Sequence, residues 1–374
     1  MVWWEVKEIN RRVLSVAVTL ILVAILATPL LSTVEAGGLG RKCKKLFFCG
    51  TELTATDEGS YVQYVGALEG AKFVLRIPDK WNGMLVVGCH GYISSIGWNM
   101  NPQIAQMAQF GVDNLKNGDG VGLPFVLVEQ GFAYAASSYG EGGWAISKGI
   151  SSTVKLTLFS LNMLHCQFKR CNNIKTYLIG QSMGGAIALM LGATYPKRGC
   201  GLGNCPELCC GLSYPKLYDG VLDVSGMRDI VLGYTDSIAV IADINEHWFE
   251  MDAEEKAEYG PLRSLLTIMV ADMEVEYGGT YFEEPEAYER KNPVDNSEIS
   301  IPMIGVTGED DDLSTNQAHT FEDAVDEAGC SKYYRLYMVP GGDHANDITI
   351  DAALLHFEEL FGHQFGWRVC FVRH

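Results

Sequence analysis

Residues 175–186 have the sequence Lys-Thr-Tyr-Leu-Ile-Gly-Gln-Ser-Met-Gly-Gly-Ala. A short apolar run leads into the pattern Gly-x-Ser-x-Gly at Gly180 to Gly184, and small residues suited to a helix follow. A nucleophilic serine on a sharp strand-to-helix turn has a strained backbone, and glycines two residues on either side leave room for it. The following helix places its positive N-terminal end at the reacting oxygen. The stretch predicts Ser182 as a nucleophile, and a plain structural turn is the alternative.

Apolar runs alternate with amphipathic stretches on both sides of this turn. The predicted strands are 73–77, 85–89, 132–137, 176–179, 221–224, 303–306 and 334–339. The predicted helices are 122–130, 151–168, 183–195, 320–328 and 348–361. Strands that alternate with helices form βαβ units, so the fold class is α/β with a doubly wound, mostly parallel sheet. The residues between position 37 and the first predicted strand show no defined pattern.

The chain resembles the α/β-hydrolase fold superfamily over about residues 70–365. Within it, the chain looks most like secreted serine esterases and prolyl-oligopeptidase-type hydrolases. The matching motifs are Trp81-Asn82-Gly83, Val87-Gly88-Cys89-His90-Gly91-Tyr92, the turn from Gly180 to Gly184, and Tyr218-Asp219-Gly220. The resemblance implies a catalytic triad whose members follow the chain order serine, acid, histidine.

The acid that the resemblance implies lies after the predicted strand 303–306. That strand runs into Gly308-Glu309-Asp310-Asp311-Asp312. In this fold the acid usually stands three residues after the glycine, which selects Asp311. A slip of one residue in the loop would exchange it for Asp310 or Asp312. A cation site formed by the three aspartates and a set of solvated loop charges are the alternatives.

The base that the resemblance implies follows the last predicted strand, 334–339. Gly341-Gly342-Asp343-His344 comes directly after it, and His344 stands 33 residues past Asp311. The other seven histidines lie elsewhere: His165, His356 and His363 in or near predicted helices, His247 in the region after residue 225, His319 at the approach to a helix, His374 at the terminus and His90 in another element. His344 is therefore the expected general base.

Two backbone N–H groups are expected to form the oxyanion hole. Met183, one residue past the nucleophile, supplies the first. His90-Gly91-Tyr92 resembles the oxyanion loop of the family, which implies Tyr92 as the second donor. The Tyr92 ring could equally wall the pocket or merely pack there.

The N-terminal residues 1–36 have the pattern of a secretory signal peptide. Arg11 and Arg12 precede an apolar run from Val13 to Leu31, and a small-residue cleavage pattern ends at Ala36. About 19 apolar residues can also span a bilayer, so a retained N-terminal membrane anchor is the alternative. Either segment predicts a secreted or extracytoplasmic protein, with membrane association only where the segment is retained.

The 11 cysteines are expected to form disulfides in such a compartment. Cys43 and Cys49 bracket a short segment, and Cys166 and Cys171 lie at a predicted helix end. Four more cluster in a glycine-rich stretch: Cys200, Cys205, Cys209 and Cys210. A zinc site from those four is the alternative, although a regular Cys-x-x-Cys pair is missing. The odd total leaves at least one thiol over, and Cys89, in a predicted buried strand, is the candidate.

Residues 227–300 interrupt the α/β alternation between the predicted strands near 221–225 and 302–307. Their periodicity is mainly helical, which predicts a helical cap or lid inserted between two parts of a catalytic domain, 37–226 and 301–374. The expected buried face is Trp248, Phe249, Leu262, Leu265, Leu266, Ile268 and Met269. The insertion has 18 acidic and 5 basic residues, so it carries −13 of the total net charge of −18. A helical lid exposed to solvent is enough to explain this charge. The alternative hypothesis is that the acidic lid disfavours anionic substrates and favours neutral or cationic ones.

The composition and the resemblance together bound the function. The protein has 48% hydrophobic and 20% charged residues, which is typical of a globular protein, and its acidity makes nucleic acid an unlikely partner. The resemblance implies a serine hydrolase that cleaves small-molecule or polymer esters through an acyl-enzyme, with no metal or organic cofactor. A serine peptidase or amidase is the nearest alternative, because the same triad serves both reactions. A non-catalytic binding protein of this fold is the second. The oligomeric state is not predicted.

Overall fold

The computed structural model describes residues 53–168, 174–195 and 217–365. Within these residues a single sheet contains nine strands. They are β1 (Leu53–Asp57), β2 (Tyr61–Leu68), β3 (Ala71–Pro78), β4 (Met84–Cys89), β5 (Ala133–Ser137), β6 (Lys175–Gln181), β7 (Gly220–Val224), β8 (Met303–Gly308) and β9 (Tyr334–Val339).

The sheet has the strand order β1-β2-β3-β5-β4-β6-β7-β8-β9. The first three strands form an antiparallel meander, and β3 also pairs antiparallel with β5. The other strands are all parallel to their neighbours, and with β5 they form a set of six: β5, β4, β6, β7, β8 and β9. The central strands are buried on both faces, which explains their continuous apolar runs. The prediction of a mostly parallel, doubly wound sheet is therefore confirmed.

Helices cover both faces of the sheet and extend beyond it. They are α1 (Ser95–Met100), α2 (Pro102–Ala108), α3 (Leu123–Glu129), α4 (Ile146–Phe168), α5 (Met183–Thr194), α6 (Ile230–His247), α7 (Ala253–Tyr277), α8 (Pro285–Glu289), α9 (Thr315–Glu327) and α10 (Asp347–Phe365). One core lies between the sheet and α4, α5 and α9, and a second lies between the sheet and α3 and α10. Each face of the sheet thus has its own apolar core.

The residues from 227 to 300 fold mainly into α6, α7 and α8. Asp252 begins α7 with a capping box, since its side chain accepts from Glu254 and Glu255 N–H groups while the Glu255 carboxylate accepts from the Asp252 N–H. A small core of its own holds α6 against α7: Ile244, Tyr259, Leu262 and Leu266. The expected burial of Phe249 is wrong. Its side chain is 91% exposed because it lies in the turn after α6, outside the helical periodicity.

Several elements differ from the sequence prediction. β1 and β2 were not predicted, because their residues mix polar and apolar types and most are only half-buried at the edge of the sheet. α4 begins five residues earlier than predicted and α9 also begins five residues earlier. The N-terminal segment 1–36, Cys43, Cys49, Cys171 and the cluster Cys200, Cys205, Cys209 and Cys210 lie outside the described residues. None of the described helices is both long and apolar enough to span a membrane.

Candidate active site

Ser182 lies at the turn between β6 and α5, and its backbone has the strained conformation that the motif predicts. Its φ of 55° and ψ of −124° put a non-glycine residue at positive φ. A Cβ atom on Gly180 would lie 2.2 Å from the Gly184 carbonyl oxygen, and one on Gly184 would lie 2.1 Å from the Cys89 carbonyl oxygen. Both glycines are therefore required by close backbone packing, as the sequence predicts.

Asp311 lies in the loop after β8 and is 1% exposed. Its Oδ2 atom lies 3.0 Å from Nδ1 of His344, and its Oδ1 atom accepts from the Ser314 N–H at 3.2 Å. Burial raises the pKa of this carboxyl, but His344 and the side chains of Ser314 and Ser225 outweigh burial and hold the pKa below its usual value. Asp310 is half-buried and Asp312 is exposed. Of the three aspartates, the structure places Asp311 against His344.

His344 lies in the loop after β9, next to the loop of the acid. The two loops touch at their glycines, since a Cβ atom on Gly308 would lie 2.2 Å from the Gly342 carbonyl carbon. The His344 N–H donates to Oδ1 of Asp343 at 2.6 Å, which anchors the residue within its loop. Burial lowers the pKa of His344, but the Asp311 carboxylate outweighs it, so the net shift is upward. This is the arrangement of a base that an adjacent carboxylate orients.

Ser225 connects the elements that carry these three residues. It directly follows β7, is fully buried and has a positive φ of 48°. Its hydroxyl accepts from the Ala345 N–H at 3.2 Å, and its carbonyl accepts from the Ser314 hydroxyl at 3.1 Å. The Ser225 hydroxyl also helps to lower the pKa of the Asp311 carboxyl. The neighbouring residues Val224 and Met227 hydrogen-bond to the backbone of Ser182.

Within the described residues, no hydrogen bond joins the Ser182 hydroxyl to His344. Asp311 and His344 are hydrogen-bonded to each other directly. Ser182 is linked to them indirectly: its backbone hydrogen-bonds to Val224 and Met227, and Ser225, which lies between those two residues, accepts from the N–H of Ala345, next to His344. Contacts of a nucleophile with its base commonly tighten when substrate binds.

The two expected oxyanion donors belong to segments that adjoin Ser182. Met183 begins α5, and Gly91 packs so close to Ser182 that a Cβ atom on it would lie 3.2 Å from the Ser182 Cβ. Over the described part of the chain, the N–H groups of Met183 and Tyr92 donate to no protein acceptor. Both N–H groups are therefore available to a substrate oxygen, and the Tyr92 hydroxyl is engaged elsewhere, on Asp272.

His90 lies beside this site but is unsuited to act as its base. Its ring is 5% exposed and stacks on Tyr139 with the ring centres 4.0 Å apart. Burial lowers the pKa of His90 to about 4, so it stays neutral near pH 7. Its place in the loop after β4 is structural.

Three residues at the site were not predicted from the sequence: Ser225, Ser314 and Asp272. Of these, only Ser225 could have been found from the sequence: it directly follows a predicted parallel strand, and ligand-binding side chains gather at the carboxyl ends of such strands. Asp272 gave no signal, since it is 180 residues from Tyr92 and reaches it only through the packing of α7. In the described ranges, no group of three or more His, Cys, Asp or Glu side chains is arranged to hold a metal ion.

Comparison with known proteins gives structural neighbours only. No family model matches the chain, and no curated protein matches it. Among solved structures, an esterase from Aspergillus oryzae is similar with a TM-score of 0.50, 11% identity, and coverage of 76% of this chain and 73% of that one. A truncated carbohydrate esterase from gut microbiota has a TM-score of 0.48 and 14% identity, over 82% of this chain and 99% of that one. The acylaminoacyl peptidase of Pyrococcus horikoshii has a TM-score of 0.46 and 10% identity, over 86% and 43%.

The strand order, the turn at Ser182 and the similarity to the Aspergillus oryzae esterase together decide the fold. The chain has an α/β-hydrolase fold. In this α/β-hydrolase fold β1 and β2 extend the antiparallel edge, and the residues from 227 to 300 are inserted between β7 and β8.

Proposed function

We propose that this protein is a serine hydrolase that cleaves carboxylic esters through Ser182, His344 and Asp311. One observation carries the proposal: the strained Ser182 lies at the carboxyl edge of the sheet, where the hydrogen-bonded pair of Asp311 and His344 also lies. A structural turn has no need for a buried carboxylate–imidazole pair beside it.

The proposed reaction forms and hydrolyses an acyl-enzyme. His344 takes the proton of the Ser182 hydroxyl while Oγ attacks the ester carbonyl carbon, and His344 then gives that proton to the departing alcohol. Water attacks the acyl-enzyme, His344 takes one of its protons, and Ser182 leaves with that proton as the carboxylic acid is released. The N–H groups of Met183 and Tyr92 stabilise the oxyanion in both steps, and the N-terminus of α5 adds its positive dipole.

The experiment is active-site labelling combined with ester turnover. We expect a fluorophosphonate probe to label the protein at Ser182 and p-nitrophenyl esters to be cleaved. Ser182→Ala should abolish both while leaving the thermal unfolding temperature unchanged. A folded wild-type protein that neither reacts with the probe nor cleaves any ester would contradict the proposal, and it would favour a binding protein of this fold.

The same assay tests the peptidase alternative. Peptide anilides share the acyl chemistry of esters but have a poorer leaving group, so an esterase site should cleave matched p-nitrophenyl esters far faster. Efficient cleavage of peptide anilides would replace the ester assignment with a peptidase, and Ser182 would remain the nucleophile in that case.

A further inference from the structure

Asp272 on α7 contacts the loop that carries the second oxyanion donor. Its side chain is 8% exposed. Oδ2 accepts from the Tyr92 hydroxyl at 2.6 Å and from the Ser95 N–H at 3.1 Å, and Oδ1 accepts from the Ser95 hydroxyl at 2.5 Å. Hydrogen bonds to an ionised acceptor are roughly twice as strong as neutral ones. The Asp272 carboxylate thus connects the insertion, residues 227–300, to residues 92–95.

A second set of contacts holds the same helix to the start of α4. One turn after Asp272, the Glu276 carboxylate accepts from the Ser147 N–H at 2.9 Å and pairs with Lys291 at 2.9 Å. The Trp144 indole N–H donates to the Tyr277 hydroxyl at 3.0 Å. These contacts dock α7 on residues 144–147, which carry no oxyanion donor. Two carboxylates on one helix face therefore hold two separate segments, residues 92–95 and the start of α4.

Asp272 also lies where residues 92–95 meet the residues just before α4. The Gly143 N–H donates to the Ile93 carbonyl at 2.7 Å, and a Cβ atom on Gly143 would lie 3.4 Å from Cγ of Asp272. Tyr92 is thereby fixed at two ends: Gly91 holds its backbone against Ser182, and Asp272 holds its ring. Together the two contacts restrict the backbone around Tyr92, and with it the range of directions open to the Tyr92 N–H.

We propose that Asp272 is a positioning residue that aims the Tyr92 N–H at the substrate oxyanion, and that this single side chain links the helical insertion to the reaction. This inference rests on the proposed function, since it assigns a role within the same site. Its physical basis is preorganisation: an oxyanion donor contributes most when it already points at the position where negative charge develops. The carboxylate suits the task because it can accept all three hydrogen bonds at once.

The test compares Asp272→Asn with Glu276→Gln. Complete loss of one oxyanion donor lowers kcat about 100- to 1,000-fold, so a misdirected donor in Asp272→Asn should lower kcat about 10- to 100-fold. KM should change little, because the ground-state carbonyl depends less on this contact. Glu276→Gln removes an equivalent charge from the same helix face but leaves residues 92–95 held, so its kcat should stay near that of the wild type.

Two further measurements separate positioning from loss of structure. Tyr92→Phe should also lower kcat, and the double variant should lose less than the product of the two single losses, because both changes disrupt the Tyr92–Asp272 hydrogen bond. A boronic acid inhibitor that forms a tetrahedral adduct at Ser182 should bind Asp272→Asn more weakly by the factor seen in kcat. Thermal unfolding of each variant records its stability.

The outcomes are distinct. Wild-type kcat in Asp272→Asn, equal losses in Asp272→Asn and Glu276→Gln, or additive losses in the double variant would each overturn the role of Asp272 while the wild-type enzyme remained active. A wild-type protein without probe labelling or ester turnover would instead overturn the proposed function itself.

Discussion

At the scale of single residues, the candidate site depends on which groups are charged at neutral pH. The Asp311 carboxyl keeps its charge in spite of burial, and that charge raises the pKa of His344. A general base must be neutral to accept a proton, so activity is lost as the pH falls through the pKa of His344. Because the pKa of His344 is raised, the acidic limb of the pH–activity profile should lie above the usual pKa of a histidine.

Asp311→Asn tests this electrostatic link. Loss of the carboxylate should lower kcat/KM about 10,000-fold, and it should move the acidic limb of the residual activity to lower pH, because the main group that raises the pKa of His344 is then gone while burial still lowers it. The measurement is kcat/KM against pH. Asp310→Asn and Asp312→Asn are the matched controls and should stay close to the wild type. An unchanged limb in Asp311→Asn would contradict the pairing.

Ser225 offers a second test at this scale. Both Ser225→Gly and Ser225→Ala remove the hydroxyl that accepts from the Ala345 N–H and lowers the pKa of the Asp311 carboxyl, and the loss of such a hydrogen bond is worth enough to lower kcat/KM about 10-fold. Glycine tolerates the positive φ at this position, so Ser225→Gly should unfold at a higher temperature than Ser225→Ala. If the glycine variant alone kept full activity, backbone strain and not the hydroxyl would be the important property of Ser225.

At the scale of elements, the turn between β6 and α5 is fixed by backbone packing. Gly184→Ala pushes a methyl group onto the Cys89 carbonyl, and overpacking of this kind costs about 1–3 kcal/mol. We expect lower stability in urea unfolding and loss of probe labelling, since the turn carries Ser182.

The control is Gly260→Ala in α7, where a Cβ atom would meet only Trp248 at an ordinary 3.4 Å. Alanine in a helix interior should raise the free energy of unfolding by about 0.5–1 kcal/mol. Equal effects of the two substitutions would show that the turn at Ser182 is not under this packing constraint.

The elements also show how much of the fold and the site the sequence predicts. The buried parallel strands and the residues that follow them were predictable, because apolar runs and chain-local motifs mark them: Ser182, Asp311 and His344 all stand just past strand ends. β1 and β2 lack such runs because they lie at a half-buried edge. The contact of Asp272 with Tyr92 has no local signature, since it exists only after α7 packs on the sheet domain.

At the scale of the whole molecule, the uneven charge is the main feature. The residues from 227 to 300 have 18 acidic and 5 basic side chains, while Asp272 and Glu276 show that part of this charge is used in hydrogen bonds to the rest of the fold. The remaining exposed carboxylates produce a negative potential that extends about 10 Å at 0.1 M salt.

This potential predicts a substrate preference. At low salt, a neutral p-nitrophenyl ester should be cleaved with a kcat/KM about 3-fold or more above that of a matched ester bearing a carboxylate, because a potential of one or more kT repels the anion. The ratio should fall toward one as sodium chloride is added. Equal turnover of both esters at low salt would mean that the acidic surface does not face the substrate path.

The buried thiol in β4 can report on motion in the middle of the sheet. Cys89 is fully buried and takes part in no disulfide, in agreement with the prediction, and burial raises the pKa of its thiol to about 12. Only a thiolate reacts with an alkylating reagent, so this cysteine stays inert until β4 separates from its neighbours. Its alkylation rate, followed by mass spectrometry of the peptide that contains it, should therefore measure how often the centre of the sheet opens in the native protein. Rapid alkylation of Cys89 under native conditions would contradict this.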